Sequence, residues 1–198
     1  MRKRTTPRSL QELVESQFLI LSYLQSKLDT INYISSGYYE NKPILKNNRF
    51  LIYVGHILQK SLIIDFATLF DTSPNQVNNF HLLYQQEYKN ELTAEVFESI
   101  RTILSKYRTS KEPVKSIINL RNTQVAHYDP LGSDKQGKLS IQLNWDFLDE
   151  MNELNNVGKK IIAIMSKSLG TGYIFPKHNK LKRLDKMVEI LASYESRL

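Results

Sequence analysis

An arginine, an amide and a histidine fall within seven residues of this chain, at Arg121, Asn122 and His127. A guanidinium offers a planar fork of N–H donors that can neutralise a phosphate, and an imidazole titrates near neutral pH and can move a proton. These are the groups that phosphodiester cleavage needs when no metal takes part. We expect a helix to end in this stretch, because Pro130 disfavours helix at Asp129.

The spacing of Arg121 and His127 limits how they can act together. Residues six apart point about 120° away from each other on an ideal helix, so a straight helix does not bring both side chains to one phosphate. Two arrangements would. The helix could unwind near its end, or two copies of the chain could pack with these helix ends together and share one cleft.

A purely structural role for the same residues stays open. Arg121 could pair with Asp65, His127 could cap the helix C-terminus, where a cation is favoured, and Asn122 could be a surface residue. Asp65 belongs to a polar stripe of its own helix, which either faces solvent or lines a polar site inside the bundle. The stripe consists of Ser61, Asp65, Thr68 and Thr72.

The other histidines predict no metal or cofactor site. His56 lies in an apolar helix pattern and is expected to be a hydrogen-bonded core group. His81 and His178 lie in or near loops, without a partner at metal-ligand spacing. The chain has no HExxH, P-loop or GxGxxG motif, so we expect neither a metal nor a cofactor.

Composition favours a single globular domain. The chain has 198 residues, 41% of them hydrophobic and 24% charged, with no cysteine, which excludes a disulfide, a Cys-zinc site and a thiol nucleophile and suits the cytoplasm. The apolar runs predict no membrane span. The net charge of +7 could attract nucleic acid or an acidic partner, although the simpler explanation is that lysines solvate exposed helix faces.

Helical periodicity dominates the chain. The patterns predict helices over residues 9–35, 48–71, 93–107, 110–128, 145–168 and 180–197, with a short segment at 77–88 and a loop at 131–143. Ser9 with Glu12 reads as a capping box, Thr93 as an N-cap, and Gly37 and Gly170 as stops. The predicted fold is therefore an all-α antiparallel bundle over residues 9–168, with a C-terminal loop and helix, 169–198, packed on the same domain.

The motif stretch resembles a known signature. Arg121-Asn122, a short spacer and Ala126-His127 are similar to the R-x(4–6)-H signature of the HEPN superfamily. The flanking residues 117–120 and 128–129, and the earlier segment 65–71 with its Leu-Phe-Asp ending, resemble the abortive-infection AbiU-like branch. The resemblance covers roughly residues 9–168.

The resemblance implies a helical bundle that dimerises around the motif helices and, for many members, metal-independent RNA cleavage in toxin or phage-defence systems. Arg121 would contact the scissile phosphate, Asn122 would orient it or the histidine, and His127 would be the acid or base. An antitoxin or a nucleotidyltransferase is the kind of partner that such a toxin has. Since some members bind without cleaving, a non-catalytic module that recognises RNA, a nucleotide or a protein stays open.

Overall fold

The computed structural model describes residues 9–39, 43–73, 76–85, 88–122, 147–175 and 180–195. These residues form α-helices and one short 3-10 helix, without a strand. The helices are α1 (Leu10–Tyr39), α2 (Pro43–Asn47), α3 (Arg49–Phe70), a 3-10 helix (Phe80–Tyr84), α4 (Ala94–Leu104), α5 (Val114–Leu120), α6 (Leu148–Leu169) and α7 (Lys180–Glu195). The prediction of an all-α fold is confirmed.

Several helix ends carry the caps that the sequence predicts. The Ser9 N–H donates to Glu12 Oε2 at 3.0 Å and the Glu12 N–H donates to Ser9 Oγ at 3.2 Å, which is a complete capping box. Thr93 Oγ1 accepts the Val96 N–H at 3.3 Å and starts α4. Gly170 ends α6 in the left-handed region, with a φ of 64°.

Other boundaries differ from the prediction. α1 passes through Gly37 and ends at Tyr39, because one glycine costs a helix only about 1 kcal/mol. α5 begins after Pro113 rather than near residue 110, and the short helix α2 was not predicted. The predicted continuation of the α5 helix to residue 128 and the predicted loop at 131–143 lie outside the described residues.

α1 is the centre of the bundle, and α3 and α6 pack on it. Its fully buried leucines join side chains of both neighbours in one large apolar cluster. α6 packs tightly on α1 at Gly158, where a Cβ atom would meet Leu21 Cδ1 at 3.0 Å. A larger residue at this position would therefore require the Leu21 side chain to shift.

α3 runs antiparallel to α1. The later part of α1 contacts the start of α3, where Tyr33 packs on the cluster that contains Leu51, and the middle of α1 contacts its second half, where Lys27 meets Asp65. α3 is also long and apolar enough to cross a membrane by length and composition, which the sequence analysis had not expected. Nine of its residues are nevertheless buried in the bundle, and the core helix of a soluble protein passes the same test.

α7 attaches through a second, smaller apolar cluster. The buried members of this cluster are Ile44, Leu45, Leu51 and Val188. A hydrogen bond of 2.6 Å from the Tyr33 hydroxyl to Asp185 Oδ1 adds a polar contact between α1 and α7. That residues 169–198 form one domain with the bundle stays a prediction.

Candidate functional site

Arg121 is placed by the short helix α5. Val114 and Ile117 of that helix are buried in the main core, and the helix packs on α3. Arg121 keeps helical backbone angles, with φ −57° and ψ −48°, and a π-type turn covers Arg121 and Asn122. The buried side of α5 therefore fixes the position from which the guanidinium extends.

The guanidinium of Arg121 forms an ion pair with Asp71, the first residue after α3. Arg121 Nη1 donates to Asp71 Oδ2 at 2.7 Å. The Asp71 side chain is 3% exposed and that of Arg121 is 26% exposed. The carboxylate is thus buried and the guanidinium reaches from it toward the surface, which is the orientation that a phosphate-binding arginine needs.

Ser73 completes the surroundings of the Asp71 carboxylate. Its backbone N–H donates to Asp71 Oδ1 at 3.0 Å and its hydroxyl donates to Oδ2 at 3.0 Å. Burial alone would raise the pKa of Asp71, but the hydrogen bonds from Arg121 and Ser73 and the arginine charge outweigh burial and lower that pKa. Asp71 therefore stays charged and holds Arg121 at neutral pH.

Asn122 holds the other side of the same guanidinium. Its Oδ1 accepts from Arg121 Nε at 3.2 Å and from Nη2 at 3.1 Å. An arginine has five N–H donors, and these contacts with Asn122 and Asp71 use three of them among the described residues. The remaining donors on Nη1 and Nη2 can bind an anion without breaking either contact.

The third predicted site residue, His127, lies outside the described residues. Its distance from Arg121 and its role as an acid or base therefore stay predictions, and so does the choice between an unwound helix end and a cleft shared by two copies. The structure brings together Arg121, Asn122 and a residue that sequence reasoning had not assigned to the site, Asp71.

The predicted alternative for Arg121 had the wrong partner. Asp65 pairs with Lys27, whose Nζ lies 2.6 Å from Asp65 Oδ2 and 2.7 Å from Ser61 Oγ. Burial is the largest influence on Asp65 and raises its pKa, although Lys27 acts in the opposite direction. The sequence carried a signal for the turn at Asp71, because Asp71-Thr72-Ser73 follows directly on the apolar end of the helix, where aspartate commonly accepts a backbone N–H two residues on, but this signal does not identify Arg121 as its partner.

Two histidines differ from what was expected of them. His81 is buried, and its ring nitrogens lie 2.9 Å from the Tyr84 hydroxyl and 3.0 Å from the Tyr107 carbonyl oxygen. Burial lowers its pKa. His56 was expected to be hydrogen-bonded, but neither of its ring nitrogens has a partner within the described part of the chain. Neither histidine forms a hydrogen bond with Arg121.

Other parts of the described chain offer weaker sites. No group of three histidine, aspartate or glutamate side chains within the described ranges could hold a metal ion. An open groove of about 510 Å³ lies between α4 and α6, where Glu95, Glu98 and Lys160 are its charged residues. Two carboxylates and one ammonium give this groove no attraction for a phosphate chain, so the Arg121 site is the better candidate.

The family comparison agrees with the motif. The family model described as AbiU2, a HEPN model, matches residues 19–170, which is more than half of the chain. The matched range contains Asp71, Arg121 and Asn122. No curated protein and no solved structure matches the chain significantly.

Proposed function

Because the chain belongs to the AbiU2 family of HEPN domains, we propose that it is a metal-independent endoribonuclease of a toxin or phage-defence system. It acts in the cytoplasm as a dimer whose two copies share a cleft. A cognate antitoxin or a nucleotidyltransferase is its expected partner. The observation that supports this proposal best is the arginine that Asp71 and Asn122 hold in place, with two of its N–H groups unpaired among the described residues.

The proposed reaction uses the 2′-hydroxyl of RNA as the nucleophile. The 2′-oxygen attacks the adjacent phosphorus, the bond from phosphorus to the 5′-oxygen breaks, and the products are a 2′,3′-cyclic phosphate and a 5′-hydroxyl. His127 moves the proton that the 2′-hydroxyl loses or that the leaving oxygen gains. Arg121 stabilises the extra negative charge on the phosphate oxygens, while Asn122 fixes the plane of the guanidinium.

The contact with Asp71 bears on how effective Arg121 would be. A long, exposed side chain must lose rotamer freedom when it binds a phosphate, whereas Arg121 is already ordered by three hydrogen bonds. Donors that need no rearrangement are the ones that stabilise a transition state most. Asp71 is therefore a positioning residue in this proposal, and it does not itself touch the RNA.

Cleavage of a single-stranded RNA in excess EDTA tests the proposal. The His127→Ala and Arg121→Lys variants should each cleave at least about 100-fold more slowly, and an RNA whose cleaved nucleotide lacks the 2′-hydroxyl should stay intact. Arg121→Lys is preferable to Arg121→Ala, because it keeps a cation beside buried Asp71. Arg101→Lys, at an exposed arginine paired with Glu98, is the matched control.

A non-catalytic binding module is the second candidate, since the guanidinium that Asp71 and Asn122 hold can bind an anion without any proton transfer. RNA binding should weaken as salt rises, because phosphate contacts release counterions. Salt-sensitive binding that is lost in Arg121→Lys, with no cleavage by the wild-type protein, would establish the binding module. Cleavage that persists in His127→Ala would contradict the proposed reaction.

A further inference from the structure

The turn that connects α4 to α5 carries a concentrated positive charge. Its four cations are Lys106, Arg108, Lys111 and Lys115. Residues 106–115 contain one carboxylate, Glu112, so this segment has a net charge of +3 (four minus one) in a chain whose net charge is +7. All four cations are exposed, and none forms an ion pair with a carboxylate in the described part of the chain. Because Glu112 already accepts the Ser116 N–H at 3.0 Å, the cations are available to an anionic ligand.

Hydrogen bonds from Thr109 hold this turn beside the candidate site. The Thr109 hydroxyl oxygen accepts the Thr72 N–H at 3.1 Å and lies 2.7 Å from the Thr72 hydroxyl. Thr72 directly follows Asp71, the carboxylate that holds the guanidinium of Arg121. The basic turn therefore lies next to the arginine that binds a phosphate in the proposed function.

Tyr107 fixes the same turn from the inner side. Its carbonyl oxygen accepts from Nε2 of the buried His81 at 3.0 Å, and its hydroxyl donates to Glu153 of α6 at 2.9 Å. Burial lowers the pKa of His81, which keeps this imidazole neutral and suited to a contact inside the bundle. Since the backbone of the turn is already ordered, a ligand that binds its cations does not have to order that backbone.

A row of cations and amides leads from the turn to Arg121. Lys111, Lys115, Asn119 and Asn122, called here the α5 track, are all exposed, and their spacings of four, four and three residues place them on one face of a helix. The Lys115 N–H donates to the Lys111 carbonyl oxygen at 2.9 Å, so the helical spacing begins before α5 itself. At the other end of the track, Asn122 bonds to the guanidinium of Arg121. At 1.5 Å per residue the track is roughly 16 Å long.

We propose that the α5 track and the turn before it bind the phosphates of a single-stranded RNA, which runs along α5 to Arg121. This inference rests on the proposed function, because it takes RNA to be the ligand of Arg121. Lysine, arginine and asparagine side chains are among the groups that proteins use to bind nucleic-acid phosphates. A strand advances about 3.4 Å per nucleotide, so the track covers about five nucleotides. The site should therefore prefer an RNA chain to a dinucleotide.

An acidic protein suits the α5 track less well than RNA does. Interfaces between proteins depend on large side chains that fill pockets of the partner. None of the large apolar side chains exposed in the described part of the chain lies between residues 106 and 122. A surface that offers cations and amides without such anchors fits a phosphate chain, whose recognition is mainly electrostatic.

Fluorescence anisotropy of a labelled single-stranded RNA, measured as salt rises, tests the track. The RNA is about ten nucleotides long, twice the span of the track, and carries 2′-O-methyl groups so that the proposed reaction cannot cleave it. Each phosphate contact contributes about 0.7 to the steepness of log K against log salt for a single strand. The double variant Lys111→Gln/Lys115→Gln should therefore lower the steepness by about 1.4. Because the counterion contribution vanishes near 1 M salt, this variant should bind about 25-fold more weakly near 0.1 M.

The matched control is the double variant Lys167→Gln/Lys186→Gln. It removes the same charge from two exposed lysines of α6 and α7 that lie outside the track, and it should weaken RNA binding much less. Shortening the RNA to a dinucleotide should cost the wild-type chain more affinity than it costs the track variant. An oligoglutamate of the same length is the probe for an acidic partner, and it should bind more weakly than RNA.

The outcomes separate the track from the proposed reaction. Equal losses in the two double variants, a track variant that binds RNA as the wild type does, or a wild-type chain that binds no RNA would each overturn the track. Tighter binding of oligoglutamate than of RNA would also overturn it and would indicate an acidic protein partner. RNA binding that depends on the track, in a chain that cleaves no RNA, would support the track and contradict the reaction. Cleavage by the wild type together with equal losses in both variants would do the reverse.

Discussion

Two aspartates of the same helix region, six residues apart, have opposite properties. Asp65, in α3, receives one cation from α1 and its pKa is raised, because burial outweighs the contact with Lys27. Asp71, just past the helix end, is more deeply buried by exposed fraction, yet its pKa is lowered, because Arg121 and Ser73 together outweigh burial. The comparison shows that several donors around one carboxylate can outweigh its burial and keep it charged.

The two pairs also differ in what they do for the fold. Lys27 and Asp65 connect neighbouring helices at a partly exposed seam, where an ion pair contributes little. Asp71 and Arg121 join the end of α3 to the end of α5, and the partly exposed guanidinium keeps two N–H donors that bond to no other residue in the described part of the chain. The first pair is therefore mainly a contact between helices, and the second is both a contact and a support for a binding group.

Removing the cation of each pair should give the largest difference in the free energy of unfolding. Arg121→Ala leaves the Asp71 carboxylate, 3% exposed, without its counter-charge, which should lower the free energy of unfolding by about 3–5 kcal/mol. Lys27→Ala should lower it by about 1 kcal/mol, since Asp65 retains contact with water. Urea unfolding of both variants measures the difference. Equal losses would mean that the two carboxylates are equally well solvated.

A double-mutant cycle measures how strongly Asp71 and Arg121 interact. Asp71→Asn removes the charge that Arg121 neutralises while it preserves the shape of the side chain. Combining it with Arg121→Ala should cost less than the sum of the single losses, by about 1–3 kcal/mol. The unfolding free energies of the three variants and the wild type give this coupling. Strict additivity would show that the 2.7 Å contact contributes nothing.

Acid should act on the two aspartates in opposite directions. Because the pKa of Asp71 is lowered from 3.8, its contribution to stability is present above that value and is lost as the pH falls through the folded-state pKa. Because the pKa of Asp65 is raised from 3.8, its contribution is present below that value and is lost as the pH rises through its folded-state pKa.

Urea unfolding between pH 2.5 and 6 (about the range in which carboxylates titrate) separates these effects. Asp71→Asn should lose less stability in acid than the wild-type chain does. Asp65→Asn should instead gain more stability than the wild type as the pH rises above 3.8. Parallel pH profiles for the two variants would contradict the opposite directions of their pKa shifts.

The serine hydroxyls that take part in the two pairs should give the smallest difference in stability. Ser73→Ala deletes the hydroxyl that donates to Asp71 at 3.0 Å and should cost about 1 kcal/mol. Ser61→Ala deletes a hydroxyl that bonds to Lys27 at the partly exposed seam and should change stability by at most about 0.5 kcal/mol. Thermal unfolding of both variants tests this order, and a larger loss in Ser61→Ala would reverse it.

Local patterns in the sequence were sufficient for most of the fold. The apolar period located the long helices α1, α3 and α6, and side-chain oxygens placed at Ser9 and Thr93 marked helix starts that the structure confirms. The end of α1 was harder to predict. Gly37 was expected to end the helix. A glycine usually ends a helix by adopting the left-handed conformation, and the apolar periodicity of the sequence does not show whether it does so.

The candidate site was only partly predictable for a different physical reason. Arg121 and Asn122 are adjacent in the chain, so the motif was visible. The ion pair between Arg121 and Asp71 joins residues that are 50 apart, and Asp65 was an equally plausible partner by residue type. Which aspartate meets the guanidinium depends on how α5 lies on α3, and no periodicity within one helix contains that information.

The separate attachment of α7 has a consequence for motions of the chain. Val188 and Leu191 of α7 pack in the small cluster with Leu51 and α2, and no described side chain of α7 belongs to the main core. Elements with few buried contacts open without global unfolding. The backbone amides of α7 should therefore exchange with deuterium sooner than those of α1 and α6, and α7 should come away from the bundle while the contact between Asp71 and Arg121 stays closed.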